Sequence, residues 1–268
     1  MTIDTTVKPW VKRLAQTGLV AKGVVYILLG LLGFMAAFEL GGKKNNEASQ
    51  TGAMQTLKEL PAGSFLLILL AAGLLCYVSW RGIQTFYNTD GSPKPFIKKA
   101  RYFFSGLAYL ALALAAIKMV FKNSSGGGDQ NQQLAAELLN KPFGQLLVAM
   151  AALVLAAIGI YQVYYGLSEK YKKHVQKLSL QSQQAATLLR SGKIGYISRG
   201  IVWLAIAYLF ARAAVHARAA EAGNTGKAFQ FIEASPFGSY LLGILALGLI
   251  TYGIFNFIRC RYEHLTPV

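Results

Sequence analysis

The chain has 268 residues, 54% apolar and only 14% charged, with mean hydropathy +0.40 and a formal net charge of +16 from 27 Lys plus Arg against 11 Asp plus Glu. Soluble domains carry about 25% charged residues and space their apolar positions at a period of two or 3.6, whereas here the apolar residues come in long blocks. This excludes an ordinary soluble enzyme and a disordered chain, and two cysteines, Cys76 and Cys260, are too few for a disulfide scaffold.

A helix crosses roughly 30 Å of hydrocarbon in about 20 mostly apolar residues. Six stretches qualify, at 19–40, 63–86, 102–121, 143–166, 194–216 and 237–258. Helices satisfy every backbone group internally, as hydrocarbon demands, so an all-α integral membrane fold is predicted. The first block is too long for the apolar core of a signal peptide and is not followed by a small-x-small cleavage site. It also recurs later in the chain, so it reads as a span that is kept.

Basic residues set the direction of insertion. The N-terminal segment, Lys22, the 81–101 and 168–199 connections and the C-terminus hold 18 of the 27 basic and 4 of the 11 acidic residues, net +14, against +2 on the other side. The strongest contributors are Lys98, Lys99 and Arg101, and Lys170, Lys172, Lys173 and Lys177. Both termini are therefore expected in the cytoplasm, with the protein in the plasma membrane (an inner membrane, if the cell has two). The net charge then reflects topology and attraction to anionic lipids, with no nucleic-acid partner.

The spans repeat in pairs. The first helix of each pair opens alike at Gly18 to Tyr26, Arg101 to Tyr109 and Gly195 to Trp203, and the second follows Pro61-Ala62-Gly63, Pro142-Phe143-Gly144 and Pro236-Phe237-Gly238. Gly23, Gly106 and Gly200 are separated by 83 and 94 residues, and Pro61, Pro142 and Pro236 by 81 and 94, so two independent anchors agree. The units are 1–92, 93–176 and 177–268. Each Pro is expected at the first position of a helix, where its missing N–H costs nothing, after an amphipathic segment lying along the outer interface (54–60, 134–139 and 229–232). The anchor glycines, and the alanine pairs Ala111/Ala115, Ala152/Ala156 and Ala207/Ala211, are expected to let helices approach closely. Two crossings per unit give all copies one orientation, which predicts a six-helix bundle around a pseudo-threefold axis along the membrane normal.

These motifs resemble the bacterial membrane family catalogued only as domain of unknown function 1206, whose tandem two-helix repeats carry an A-R-x-G-Y-x-A-R-G-V-V-Y-like helix start and a P-F-G-like second start. The resemblance covers essentially the whole chain. It is good in the first and third copies and degenerate in the second, where Arg101 stands for the first Gly and Ser105 for the basic residue; in the first copy the basic residue is Lys22. The resemblance implies six membrane helices and supplies no activity.

Superposing the copies aligns Lys22, Ser105 and Arg199 at one level of the first helices. Arg81, Gln162 and Asn256, each twenty residues after its Pro, align in the second helices. Interhelical locking is the default role for such a layer, with binding of lipid phosphate as the other. Towards the outer end Met35, Lys118 and Arg212 align, as do Glu39, Lys122 and His216. Lys118 and Arg212 would line an anion-attracting vestibule if they face the axis, or snorkel to head groups if they do not. The mid-membrane stretches hold no ionisable Asp, Glu, Lys, Arg or His, which disfavours coupled transport, and Tyr109, Trp203, Tyr208 and Thr251 are the polar handles noted there.

Enzyme chemistry finds little to work with. His174, His216 and His264 are scattered over both sides, no Cys or His shows metal-ligand spacing, and Gly126 to Gly128 reads as a linker. No cofactor and no catalytic activity are expected; a lipid enzyme would need Glu39, His216 and a nucleophile together. The expected role is structural or interaction-based, organising lipid or a partner protein. The alternative is a passive pore or small-molecule permease along the axis.

Overall fold

The computed structural model describes residues 9–40, 48–86, 96–121, 130–168 and 182–262. Its long helices are α1 (Pro9–Ala37), α3 (Gly63–Phe86), α4 (Phe96–Phe121), α6 (Gly144–Leu167), α7 (Ser182–His216) and α9 (Gly238–Tyr262). Shorter ones precede each second span: α2 (Gln50–Glu59), α5 (Gln130–Leu139) and α8 (Thr225–Glu233). All six long helices are long and apolar enough to cross a membrane, the mark of a multi-pass membrane protein.

The second span of each repeat begins where its hydropathy rises, but the first spans start earlier than expected. The predicted starts at 19, 102 and 194 become 9, 96 and 182. With 29 and 35 residues, α1 and α7 are roughly 44 and 52 Å long, more than about 30 Å of hydrocarbon needs.

The three Pro-x-Gly starts fold alike, in a way that corrects one expectation. Pro61, Pro142 and Pro236 lie two residues before the first helical residue rather than at it. Each takes the second position of a turn whose third residue, Ala62, Phe143 or Phe237, is left-handed, with φ of 60°, 60° and 58°. The turn is closed by Gly63 N donating to Leu60 O and Gly238 N to Ser235 O, both 2.8 Å. The following glycine is obligatory for space: a β-carbon at Gly63, Gly144 or Gly238 would run into the carbonyl of Lys58, Leu139 or Glu233. Each Gly→Ala change is expected to cost about 1–3 kcal/mol of stability, read as a lowered thermal midpoint of the purified protein.

The amphipathic segments before these turns are full helices of two to three turns, longer than the sequence suggested. Ser49 caps α2 by accepting from Gly52 N, and Asn224 caps α8 by accepting from Gly226 N and Lys227 N. Each touches the next repeat's first span: α2 packs on α4, α5 on α7 and α8 on α1.

Among the spans the closest pairings lie between repeats, second span to first span: α3 with α4, α6 with α7 and α9 with α1. Within repeats α1 packs on α3 and α7 on α9, but α4 and α6, the two spans of the middle repeat, do not pack along one another. The neighbour order is therefore α4, α3, α1, α9, α7, α6, an arc with its opening between α4 and α6. The central helix α1 has 61% of its apolar window buried, and α6 at one edge has 22%.

The sequence explains the opening. In the outer repeats glycines fit against the partner span at equivalent places: Gly73 against Ala21, Gly248 against Ser198, and Gly18 and Gly195 against the backbone of Tyr77 and Tyr252. At the same offsets the middle repeat has Val154 for the second-span glycine, Phe104 for the small partner, Arg101 for the first-span glycine and Ile158 for the tyrosine. Bulk replaces the notch, and Phe104 and Val154 are left 64% and 59% exposed.

Candidate functional site

The six spanning helices contain no Asp or Glu. Yet three cations gather inside the arc. Lys22 on α1 is 5% exposed, with its ammonium 5.4, 5.6 and 5.2 Å from the ring centres of Tyr77 (α3), Tyr109 (α4) and Tyr252 (α9). Arg199 on α7 donates from Nη1 to the Tyr252 hydroxyl at 2.6 Å and lies over the rings of Tyr26 and Tyr252. Arg81 on α3 donates from Nε and Nη2 to the Tyr77 hydroxyl at 2.8 and 2.6 Å and lies over Trp80 and Tyr102.

Edge-on ring contacts, Tyr26 with Tyr252 at 4.8 Å and Tyr77 with Tyr109 at 4.7 Å, tie α1, α3, α4 and α9 into one layer. An aromatic face over a desolvated cation contributes about 2 kcal/mol, less than the several kcal/mol of desolvation that a buried ion such as Lys22 costs. The layer is therefore under-neutralised. Arg199 Nε is also buried without a hydrogen-bond partner. Ser105, the middle repeat's substitute for the basic residue, lies 3.5 Å from the Tyr77 hydroxyl. Gln162 and Asn256 are buried; Asn256 Nδ2 donates to Tyr252 O at 2.6 Å, while both amide oxygens lack partners.

Of the residues singled out in the sequence, Lys22, Arg81 and Arg199 come together here. Lys118 and Arg212 do not join them: both are exposed at the other end of the spans. Arg212 Nε pairs with Glu221 at 3.2 Å, and His216 Nδ1 lies 2.8 and 2.9 Å from the same carboxylate, which fixes Nδ1 as the protonated ring nitrogen. Glu39, exposed and left-handed at φ 53°, ends α1 and takes no part in this cluster. Lys98 side chain, Lys122, Gly126 to Gly128, Lys170, Lys172, Lys173, Lys177, His174 and His264 lie outside the described residues. Cys76 and Cys260 are free thiols.

The hydrogen bond from His216, assisted by the nearby arginines, holds the Glu221 carboxyl below its ordinary value of 4.5. A depressed carboxyl stabilises the fold above its unfolded value and loses that contribution as pH falls through the folded one. Amides 217–222 should thus exchange hydrogen faster, after correction for the intrinsic rate, as pH drops below about 4.5; Glu221→Gln should abolish that dependence.

The anchor glycines serve the interfaces between repeats. Gly23 meets the Gly253 carbonyl of α9, Gly200 meets the Gly159 carbonyl of α6, and Gly106 has only the Arg81 β-carbon near it. The tyrosines are the part of the layer that sequence reading missed, although Tyr77 and Tyr252 both stand sixteen residues after their Pro. Of the handles it did note, Tyr109 belongs to the layer, whereas Tyr208 is exposed and stacks near Phe231.

A family model described as Domain of Unknown Function (DUF1206) matches the chain three times, over residues 17–88, 100–169 and 194–263. The chain is also 33% identical over 267 residues to a Bacillus subtilis (strain 168) protein described as "Uncharacterized protein YxxB", covering 98% of this chain and 95% of that one. No solved structure matches.

Proposed function

The chain belongs to the DUF1206 family, and from that premise, which brings no assigned activity, we propose that it is a non-catalytic plasma-membrane protein that organises anionic lipid through its buried cation and tyrosine layer. The observation that carries this reading is the gathering of Lys22, Arg81 and Arg199 among tyrosines, in helices devoid of carboxylates. A phosphate head group supplies the missing negative charge and accepts from guanidinium and tyrosine donors alike.

Depth supports it. Lys22 lies 15 residues from the end of α1, Arg199 17 residues from the end of α7, and Arg81 18 residues from the start of α3. These spacings amount to roughly 22–27 Å, which puts the layer just inside one boundary of a hydrocarbon core of about 30 Å. The excess of basic residues supports the cytoplasmic side for that boundary, with both termini on that side. The cyclic succession of second-to-first-span contacts and of short helices on the next repeat supports a pseudo-threefold axis along the membrane normal, broken at the middle repeat. The rings around Lys22 fill the centre at this level, which speaks against a pore.

The test is thermal unfolding in nanodiscs of phosphatidylglycerol and of phosphatidylcholine. The wild-type protein should be stabilised by the anionic lipid, and Lys22→Gln with Arg199→Gln should lose that difference. Equal midpoints for the wild type in both lipids would reject the reading and leave the layer as an interhelical lock.

A further inference from the structure

The arc opens between α4 and α6, and its interior is the cation and tyrosine layer. We propose that this opening is a lateral portal through which one anionic phospholipid places its phosphate on Lys22 and Arg199, with its acyl chains lying along Phe104 and Val154. The inference rests on the lipid-binding reading above and adds to it the route, the stoichiometry and the reason for the divergent repeat.

Three independent observations meet here. The first is charge: no spanning helix offers a carboxylate, and Arg199 Nε stays buried without a hydrogen-bond partner. Arg199 lies on α7, the neighbour of α6, and Tyr109 of the same layer lies on α4 at the edge of the opening. The second is shape. Where the outer repeats carry glycine notches that seal their hairpins, the middle repeat carries Val154, Phe104 and Ile158, and among the described residues α4 and α6 are not packed along one another, with Phe104 and Val154 exposed. The third is depth, since the layer lies just inside the hydrocarbon boundary, within reach of a phosphate at that boundary, and a lipid needs no desolvation of its chains to enter sideways. A soluble anion has no use for an apolar slit opening on hydrocarbon; a double-chained lipid fits both halves of the site. The basic residue of the repeat is replaced by Ser105 in the middle copy alone, the copy that forms the opening, while Arg101 stands there in place of the first-span glycine.

The experiment is native mass spectrometry of the delipidated full chain, titrated with phosphatidylglycerol, phosphatidylcholine and inorganic phosphate. One phosphatidylglycerol should bind at least tenfold more tightly than phosphatidylcholine. Val154→Trp and, separately, Ile158→Trp should weaken it at least tenfold while leaving the protein monodisperse. Unchanged phosphatidylglycerol affinity in both Trp variants, with affinity lost in Lys22→Gln/Arg199→Gln, would overturn the portal and keep the lipid layer. No preference over phosphatidylcholine in the wild type would overturn both. Displacement of the lipid by an equal concentration of inorganic phosphate would overturn the lipid in favour of the free anion. Should the Trp variants misfold, photoactivatable phosphatidylglycerol on the wild-type chain decides. Labels concentrated near residues 104 and 154 support the portal, and labels spread evenly over the outer faces of all spans overturn it.

Discussion

Gly195→Val and Gly18→Val are each expected to destabilise the protein strongly. A β-carbon at Gly195 would sit 2.7 Å from the Tyr252 Cα, and one at Gly18 2.6 Å from the Tyr77 Cα. Neither neighbour is the flexible end of a side chain, so the helices themselves must separate. Overpacking inside a well-packed interface costs about 1–3 kcal/mol, and more where the backbone must move. Here it also pulls Tyr77 or Tyr252 away from the cations each holds. Chemical unfolding of the detergent-solubilised protein should show a loss of about 3 kcal/mol or more at either site. Gly82→Val is the control, since nothing lies within 4 Å of a β-carbon there; it should stay within about 1 kcal/mol of wild type. A comparable loss at Gly82 would mean that the damage follows helix propensity and not the notch.

The second large effect falls on Tyr252, the ring shared by Lys22 and Arg199. Tyr252→Phe keeps the ring and removes the acceptor at 2.6 Å from Arg199 Nη1, in a guanidinium whose Nε already has no partner. The expected cost is about 1.5–3 kcal/mol, the range for hydrogen bonds to charged groups. Tyr252→Ala also removes a buried ring that touches Tyr26, Tyr196 and the Lys22 ammonium, raising the loss to about 3–5 kcal/mol. Tyr77→Phe, which strips two donors of Arg81 of their acceptor, should resemble Tyr252→Phe. If anionic lipid neutralises the layer, added phosphatidylglycerol should recover part of the Tyr252→Phe loss and little of the Tyr252→Ala loss, as measured by thermal midpoints in matched nanodiscs.

The spans and their repeats were legible because both rest on local pattern: block hydropathy for the helices, and Pro and Gly at fixed offsets for the copies. The helix starts were less so. Residues 9–18 and 182–193 carry Lys12, Arg13, Arg190 and Lys193, which end a hydropathy window although the helix continues past the membrane. The Pro position was misplaced by two residues because the left-handed Ala62, Phe143 and Phe237 carry no glycine to announce that conformation. At the site, register alone placed Lys22, Arg81 and Arg199 at one depth, but depth does not fix azimuth. Which side of each helix faces the interior depends on how close the glycines let neighbours come. The divergence of the middle copy was visible at Arg101 and Ser105, yet its consequence needed the partner positions 104 and 154, which only a superposition of helix contacts brings together.

The pairing of α1 with α9 sets the order of events during biosynthesis. Helix α1 has α9 as its closest companion, with Gly23 and Gly30 on α1 shaped to the α9 residues Gly253, Ala246 and Ile250. Some two hundred residues separate the two helices, so α3, α4, α6 and α7 must be made before that notched face can be filled and the fold can lock. A premature stop anywhere before α9 would leave the α1 notches unfilled, presenting a truncated product whose most closely fitted surface is open to quality-control proteases.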